Sequence, residues 1–342
     1  RINKICKANN GIENKWEDDP AKRLKMWAAR QGVVASLSRV ERGSRMQSIM
    51  DDPGIPLTKI PEAIVGINKI AEKHHISINT FGHIGDGNIH PIIICDPRKK
   101  EQWNAIREAS RDLIDLTLRL RGTLTAEHGT GMAKSPYIKR ELGEALEVMK
   151  QIKKALDPNN ILNPGKMGFD DSIKDIYDRF AFQPLIEKPG EIQTFGKALD
   201  NEIMACIMCG FCRAGCPTYG ETSLESINAR GRVILAYHLL TGRLEPSKEL
   251  AERFYKCSMC LNCNAVCPAA VKVADIIQAA RARLVKAGYL PPVDQTLMAS
   301  IEKHGNPFGE ATEKRTEIFP TEFKSKDKAP TLLYFGCVAS YQ

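Results

Sequence analysis

The stretch ISINTFGHIGDGNIHPIIIC, residues 76–95, decides the fold of the first half of the chain. Two runs rich in β-branched residues flank a loop that contains glycine, and this pattern favours two strands joined by a tight turn. We therefore expect antiparallel strands at 76–82 and 89–95. Gly85 and Gly87 permit the turn, because glycine adopts backbone conformations that other residues avoid.

The histidines that bracket this loop predict a metal site. In such a hairpin, His83 and His90 lie across from each other at its base and face one point. One added carboxylate gives a site with two histidines and one acid, which suits a divalent first-row metal with open positions. Glu127, in EHGTG, is the candidate. His128 points the other way if this segment is extended, so it faces a substrate as a base instead of sharing the metal. The alternative is that these are loop histidines with ordinary hydrogen bonds beside a surface Glu-His pair.

Helical patterns surround the hairpin. Apolar residues at three-to-four spacing predict helices within residues 18–49, 57–75, 98–122 and 141–160. TLTAEHGTG, residues 123–131, is expected to be a strand followed by a loop. Helices that alternate with short strands indicate an α+β domain, which we expect to end near Met167.

The composition restricts the class of protein. The chain has 342 residues, of which 43% are apolar, enough for two or three domains. The net charge of +8 is spread among acids, without the basic block that nucleic-acid binding requires. No apolar run approaches the roughly 20 residues that span a bilayer, and no signal peptide is evident. Eleven cysteines, an odd number, favour thiolate ligands in a reducing, cytoplasmic compartment over disulfides.

Eight of the cysteines form two similar runs, CIMCGFCRAGCP at 206–217 and CSMCLNCNAVCP at 257–268. Both follow the pattern of proteins with two [4Fe-4S] clusters, in which the fourth cysteine of each run ligates the cluster of the other run. Three thiolates on one tight loop reach three corners of a cube, whereas the fourth, on the following helix, points away. We therefore assign Cys206, Cys209, Cys212 and Cys267 to cluster 1, and Cys257, Cys260, Cys263 and Cys216 to cluster 2.

Structural zinc is the alternative for these cysteines. Zinc takes four ligands, typically from two C-x2-C pairs, and two quartets that each end in Cys-Pro are poorly explained in that way. The spacer between the runs is helix-prone, which favours an all-helical module with two clusters that pass single electrons. Cys6 and Cys95 lie outside the runs and are expected to be buried.

Several motifs resemble a known family. GHIGDGNIHP (82–91), GTLTAEHGTG (122–131) and IKKALDPNNILNPGKM (152–167) resemble the C-terminal half of FAD-linked 2-hydroxy-acid oxidases. That group includes the glycolate oxidase flavoprotein subunit, D-lactate dehydrogenase and D-2-hydroxyglutarate dehydrogenase. The cysteine runs, with NARGR between them, resemble the iron–sulfur subunit of glycolate oxidase. TLLYFGCVASY (331–341) resembles the first strand of that subunit's cysteine-rich domain, with Cys337 in its site.

The resemblance covers nearly the whole chain and implies its domain organisation. It predicts an α+β, ferredoxin-like cap domain of an FAD-linked oxidase at 1–167 and a linker at 168–200. An all-helical two-[4Fe-4S] ferredoxin domain is expected at 201–290 and a second linker at 291–329. The truncated start of a cysteine-rich α/β domain is expected at 330–342, so that the chain is a part of a natural fusion of two subunits.

The resemblance also implies roles for the histidines and the acid. His83, His90 and Glu127 are expected to bind a divalent metal such as Zn, Mn or Fe, which holds the hydroxyl and carboxylate of the substrate. His128 is expected to be the catalytic base that takes the hydroxyl proton as hydride leaves for the flavin.

Further residues are implied to contact the substrate and the flavin. Arg30 is expected to clamp the substrate carboxylate, which suits a guanidinium fork; the alternative is a solvated helix arginine. Asn163 and Asn88 are expected to lie beside FAD. Some relatives place a lysine where this chain has Met50 and Asp51, which leaves the choice of substrate open.

The resemblance implies an FAD-linked 2-hydroxy-acid dehydrogenase, with FAD bound mainly by an N-terminal domain outside residues 1–342. The expected substrate is glycolate or D-lactate, with hydride passing to FAD and single electrons passing through both clusters to a quinone or a redox protein. The alternative is an electron-transfer module of a heterodisulfide-reductase-like complex that oxidises no substrate itself. Peripheral association with the inner face of the membrane is a further option if the helix GRVILAYHLL, residues 231–240, touches lipid instead of lying in the core.

Overall fold

The first half of the chain combines helices with a small sheet, and the second half is helical. The computed structural model describes residues 1–12, 16–41, 43–47, 50–96, 99–169, 194–319, 330 and 335–341. The mixed α+β character expected for the first part and the helical character expected for the cysteine-rich part are both present in these residues.

The sheet of the first half is antiparallel and has three strands in the described residues. These are β1 (Arg45–Gln47), β2 (Ser77–His83) and β3 (Asn88–Cys95), in the order β1-β3-β2. Every residue of the central strand β3 is buried. The hairpin predicted at 76–95 is confirmed, but the helix expected over 18–49 ends at Leu37 and β1 follows it. A strand of three residues is too short to show a period of two in the sequence.

The register of the hairpin differs from the expected one. His83 lies opposite Asn88, and His90 lies opposite Phe81, so the expectation that the two histidines are directly opposite is wrong by two residues. The turn at 84–87 is longer than two residues, and Gly87 closes it with a φ of +82°. His83 and His90 are diagonal neighbours on one face of the sheet, a distance that ring side chains can bridge. Their ring centroids are 5.5 Å apart.

Two long helices cover the sheet. The helices of the first half are α1 (Ile2–Ala8), α2 (Pro20–Leu37), α3 (Ile60–His74), α4 (Lys100–Arg119), α5 (Ile138–Leu142) and α6 (Ala145–Leu156). Apolar residues at three-to-four spacing on α3 and α4 face each other and the sheet. A Cβ on Gly66 would lie 2.7 Å from Leu116 Cδ2, so glycine allows α3 and α4 to approach closely.

Two further expectations for the first half are corrected. Residues 123–131 form no strand; Thr123 makes one isolated bridge to Gly54, and the chain then bends. The helix expected over 141–160 is divided into α5 and α6, because Gly143 adopts a φ of +55°.

Helices are the only regular secondary structure in the described part of the cysteine-rich half, residues 194–319. They are α7 (Lys197–Ala205), α8 (Phe211–Ala214), α9 (Pro217–Thr222), α10 (Ala229–Leu240), α11 (Lys248–Tyr255), α12 (Asn262–Ala265), α13 (Val273–Lys286) and α14 (Pro292–His304). The apolar helix GRVILAYHLL forms most of α10 and lies in the core, where it packs against α7 and α13. In the described part of the chain, no helix is both long and apolar enough to cross a membrane.

The segments expected to be linkers are described only in part. Most of 168–200 lies outside the described residues, which resume at Thr194. The helix α14 occupies the start of the segment 291–329. The strand expected from TLLYFGC falls largely on residues 331–334, outside the described part, and Cys337–Tyr341 forms a short helix, α15.

Candidate active site and cysteine cavities

Three side chains meet on the open face of the hairpin. His83, at the end of β2, and His90, on β3, point at the same carboxylate oxygen of Glu127. The distances from Glu127 Oε1 are 3.3 Å to His83 Nε2 and 3.1 Å to His90 Nε2. Ligands that hold one ion at about 2.1 Å, with roughly right angles between the bonds, lie about 3 Å from one another. The spacing of each histidine from Glu127 therefore fits neighbouring ligands of a single divalent cation.

A backbone carbonyl sets the tautomer of the buried histidine. His90 Nδ1 lies 2.7 Å from the carbonyl oxygen of Asp51. A carbonyl can only accept, so Nδ1 carries the hydrogen and the lone pair of Nε2 faces Glu127. Metal-binding histidines are commonly oriented by such a bond from the second ring nitrogen. Since His90 is only 5% exposed, its ring is also fixed by packing.

His128 does not point away from this cluster, contrary to the expectation. Its ring stacks on His90 with centroids 5.0 Å apart, and its Nε2 lies 3.7 Å from Glu127 Oε1. Its Nδ1 lies 3.3 Å from the carboxylate of Asp51. The expectation assumed an extended segment, whereas residues 126–128 bend, so neighbouring side chains share one side. Asp51 thus holds two histidines, one through its carbonyl and one through its carboxylate.

A buried carboxylate shapes the loop that carries Glu127 and His128. Asp52 is fully buried and accepts the backbone N–H of His128 at 2.8 Å and that of Glu127 at 3.1 Å. Lys134, only 3% exposed, places its Nζ 3.4 Å from Asp52 Oδ2. Burial raises the pKa of Asp52, but the His128 N–H, the Lys134 charge and the Glu127 N–H together outweigh it, so that the pKa is lowered overall.

Asp52→Asn is expected to damage both stability and metal binding. The amide removes the nearer of the two carboxylates beside the buried Lys134 and leaves it only Asp51, 3.9 Å away. Loss of a buried charged partner costs up to about 3–5 kcal/mol in free energy of unfolding. It also removes one of the two oxygens that accept the loop N–H groups, and loss of such a supporting contact lowers metal affinity about 10–100-fold. Urea unfolding and metal titration measure the two effects.

Asp115→Asn is the matched control, because Asp115 pairs with Arg140 at the exposed end of the domain. We expect it to change neither quantity. A metal affinity of the Asp52→Asn protein equal to that of the unchanged protein would show that the loop is positioned by other contacts.

Asp52 also has an oxygen near the metal-binding atoms, but it is a poor ligand here. One ligand atom from each of Asp52, His90, Glu127 and His128 lies within 4.8 Å of the others. The oxygens of Asp52 are already occupied by two backbone N–H groups and face Lys134. The set His83, His90 and Glu127 has free donor atoms, and His128 stands beside it.

The residues implied to contact substrate and flavin lie in three places. Asn88 is buried opposite His83, and its Oδ1 has no hydrogen-bond partner in the described part of the chain. Asn163 is exposed in the loop after α6. Arg30 lies within α2, and its side chain is outside what the structure describes. The roles of all three stay predictions.

Each cysteine run lines a cavity together with one cysteine of the other run. The first cavity is lined by Cys206, Cys209, Cys212 and Cys267. The second is lined by Cys257, Cys260, Cys263 and Cys216. These are the two quartets that the sequence pattern predicts. Of the other cysteines, Cys95 is buried as expected, whereas Cys6 is only half-buried on α1.

One thiol in each cavity, Cys212 and Cys263, holds its proton tightly when no cation is bound. Burial, with the charges of Cys206 and Cys209 next, raises the pKa of Cys212 to about 12. Burial and then the charge of Cys257 raise the pKa of Cys263 to about 11. A cation must displace these protons, as thiolate ligation requires. Four thiolates in one cavity repel one another, and a positively charged metal core would relieve this repulsion.

A buried arginine faces the second cavity and has no carboxylate partner among the residues that the structure describes. Arg232, 1% exposed, donates Nε–H to the carbonyl of Arg253 at 2.7 Å and Nη1–H to Thr218 Oγ1 at 3.3 Å. Its Nη2 has no hydrogen-bond partner among the described residues. Burial lowers the pKa of Arg232, and the charges of Cys257 and Cys216 oppose this effect. A buried cation with a free N–H group fits a cluster whose four thiolate ligands make the whole site anionic.

Arg232→Leu is expected to lower the reduction potential of a cluster in the second cavity. Reduction adds negative charge, which the buried guanidinium stabilises, so its removal disfavours the reduced state. We expect a shift of at least about 60 mV, a tenfold change in a one-electron equilibrium. A redox titration followed by electron paramagnetic resonance measures it, with Arg140→Leu as a surface control. An unchanged potential would contradict this account of Arg232.

Comparison with known proteins gives two domain families. The family of C-terminal domains of FAD-linked oxidases matches residues 1–167, and the 4Fe-4S dicluster domain matches residues 202–271.

Individual relatives match about half of the chain or less. Glycolate oxidase subunit GlcD of Bacillus subtilis is 36% identical over 175 residues, which are 51% of this chain and 36% of that protein. The mitochondrial D-lactate dehydrogenase [cytochrome] of Arabidopsis thaliana is 32% identical over 167 residues, 48% of this chain and 29% of that protein. D-lactate dehydrogenase of Archaeoglobus fulgidus is 38% identical over 117 residues, 34% of this chain and 26% of that protein. The chain therefore spans only about a quarter to a third of the length of these relatives.

Proposed function

We propose that the whole protein oxidises a small 2-hydroxy acid. The premise is that residues 1–167 belong to the C-terminal domain family of FAD-linked oxidases and residues 202–271 to the 4Fe-4S dicluster domains. Glycolate and D-lactate are the substrates proposed, because relatives are a glycolate oxidase subunit and D-lactate dehydrogenases. The electrons leave through the cysteine-rich half of the same polypeptide.

The observation that carries the proposal is the approach of two histidine nitrogens to one carboxylate oxygen of Glu127. His83, His90 and Glu127 would hold a divalent metal, and the bond from His90 Nδ1 to the Asp51 carbonyl keeps Nε2 directed at it. The metal, when bound, acts as a Lewis acid that lowers the pKa of the substrate hydroxyl, and FAD is the hydride acceptor. These three side chains would thereby orient the hydroxyl and the carboxylate of the substrate.

His128 is proposed as the base for the hydroxyl proton. Its ring is held between the plane of His90 and the carboxylate of Asp51, which contacts Nδ1. Nε2 is the nitrogen left to face the metal-binding side chains, so it is the atom that would accept the proton. An adjacent carboxylate stabilises the imidazolium that forms when a histidine takes a proton in this way. Asp51 is therefore proposed to orient His128 as well as His90.

The eight cysteines are proposed to bind two [4Fe-4S] clusters, one in each cavity. Oxidation of a hydroxy acid releases two electrons together, whereas a one-electron acceptor takes them singly. A pair of such clusters transfers electrons one at a time and so connects the two steps. The proposed acceptor is a quinone or a redox protein. The position of each quartet around its own cavity and the free Nη2 of Arg232 support this assignment.

Anaerobic substrate profiling of the complete protein tests the proposal. Glycolate, D-lactate and D-2-hydroxyglutarate are compared with FAD and iron in place and a one-electron dye as acceptor. We expect turnover with glycolate or D-lactate, its loss when the divalent metal is removed, and its return when Zn, Mn or Fe is added. A protein that holds flavin and iron but oxidises none of these acids would contradict the proposal and favour an electron-transfer module.

A further inference from the structure

One arginine of the oxidase domain binds the cysteine-rich domain with all three nitrogens of its guanidinium group. Arg39 follows α2, and its Nη1 and Nη2 each lie 2.9 Å from an oxygen of Glu202 on α7. Its Nε donates to the carbonyl of Ala269 at 2.7 Å, and Nη2 donates to the carbonyl of Ala270 at 2.8 Å. The guanidinium therefore makes four hydrogen bonds to the other domain. Paired bonds to a carboxylate fix orientation as well as distance.

Glu202 joins the same contact from the other side. Glu202 accepts hydrogen bonds from Arg39 with both of its carboxylate oxygens. One of these oxygens also accepts the backbone N–H of Lys272 at 2.9 Å. Its side chain is only 17% exposed, which limits competition from water. Arg39 and Glu202 together thus bind three backbone groups within residues 269–272, and this segment is held by side chains rather than by regular secondary structure.

The segment that they hold belongs to the first cysteine cavity. Residues 269–272 directly follow Cys267-Pro268, and Cys267 Sγ accepts the backbone N–H of Val271 at 3.3 Å. Ala269 and Val271 line the first cavity beside Cys206, Cys209, Cys212 and Cys267. Arg39 therefore contacts, through the carbonyl of Ala269, a residue of the cavity wall itself.

We propose that Arg39 and Glu202 fix the first cavity against the oxidase domain, so that the cluster held by Cys206, Cys209, Cys212 and Cys267 is the first to receive electrons. This inference rests on the proposed function. Oxidation of one 2-hydroxy acid to the 2-oxo acid releases two electrons and two protons. The electrons are received one at a time at the first cysteine site and then reach the second. One of the two protons would be taken by His128, the other would leave the flavin when it is reoxidised, and both would pass to solvent.

A matched pair of cysteine variants tests the order of the two sites. Cys209 and Cys260 are both exposed and occupy equivalent positions in the two runs. In the complete, FAD-loaded protein with Cys260→Ala, we expect substrate to reduce the cluster of the first cavity as fast as in the unchanged protein. With Cys209→Ala, we expect substrate to leave the cluster of the second cavity oxidised, although dithionite still reduces it. Reduction of that cluster by substrate at the normal rate would overturn the inference.

Arg39→Gln tests the contact without touching a cysteine. We expect unchanged iron content and unchanged flavin reduction by substrate, but reduction of the clusters slowed at least about tenfold, as small misplacements of reacting groups commonly cause. Lys59→Gln, which breaks an exposed ion pair with Glu62, is the control and should change none of these rates. A normal rate of cluster reduction in the Arg39→Gln protein would contradict the proposal.

Hydrogen exchange separates a failure of this inference from a failure of the proposed function. If no hydroxy acid reduces the flavin of the unchanged protein, the proposed substrate class is wrong, and the rates above cannot be measured. Exchange of the backbone amides of residues 269–272 still reports on the contact, and we expect it to rise in the Arg39→Gln protein. Equal exchange in both proteins would show that Arg39 does not hold this segment and would overturn the inference.

Discussion

Replacing His128 by alanine is expected to lower turnover about 10²–10⁴-fold, the usual contribution of a positioned acid or base. The reason is the loss of the nitrogen that faces the metal-binding side chains, since Nδ1 of the same ring is held by Asp51. The divalent metal and the iron are expected to remain, because His83, His90, Glu127 and the cysteines are untouched. Steady-state kinetics and metal analysis of the same preparation measure both outcomes.

This experiment also decides between two roles that the geometry allows for His128. The ring stacks on His90 and lies 3.7 Å from Glu127, close enough for it to be considered as a fourth metal ligand. Loss of a base leaves the metal affinity unchanged, whereas loss of a ligand lowers it. Added imidazole should restore part of the turnover if His128 is a base. Loss of the divalent metal from the His128→Ala protein would contradict the assignment, and His304→Ala, on α14, is the control that should change neither property.

Cys212→Ser is expected to remove one cluster and leave the other, lowering iron from about eight to about four atoms per chain. Cys212 is a half-buried member of the first quartet, and its raised pKa reflects burial among other sulfurs. Iron analysis of anaerobically purified protein measures the change. Cys6→Ser is the control, since Cys6 lies on α1 outside both quartets. A Cys212→Ser protein with unchanged iron would contradict the assignment of this quartet.

The same variant is expected to be less stable, because metal binding to thiolates contributes directly to folding. The walls of the first cavity come from α8, α10, α13 and the loops beside them, and a bound core would tie these together. Thermal unfolding should therefore begin earlier in the Cys212→Ser protein. If all iron is lost together with helix content, Cys209→Ala provides the second variant, because Cys209 is exposed and its removal leaves no cavity in the core.

The parts of the molecule that the sequence predicts are those specified by local patterns. The hairpin at 76–95 follows from two β-branched runs and a glycine turn, and both runs of cysteines have a spacing that assigns each sulfur to a quartet. The register of the hairpin is missed because the turn takes up four residues, which alternation alone does not show. The register differs from the expected one by two residues, which changes the residues that lie opposite each other. Because side chains alternate between the faces of a strand, a shift of two leaves both histidines on the same face.

The parts that the sequence does not predict depend on contacts between distant residues. The bend that brings His128 beside Glu127 depends on Asp52, which is 75 positions before Glu127 and accepts its N–H. The contact of Arg39 with Glu202 spans 163 positions. Neither residue stands in a recognisable motif, since a buried acid and an interdomain arginine have no periodic or spacing signature. The burial of Asp52 and the pairing of Arg39 become visible only in the folded chain.

The most direct test of the account is a single-turnover experiment on the complete protein, loaded with FAD, divalent metal and iron under anaerobic conditions. One equivalent of glycolate or D-lactate is mixed with the oxidised protein, and the flavin and the iron–sulfur absorbance are followed together. The account predicts that the flavin is reduced first and that its electrons then bleach the iron–sulfur absorbance. Reduced flavin beside clusters that stay oxidised, although dithionite reduces them, would contradict the claim that the histidine site and the cysteine sites form one electron path.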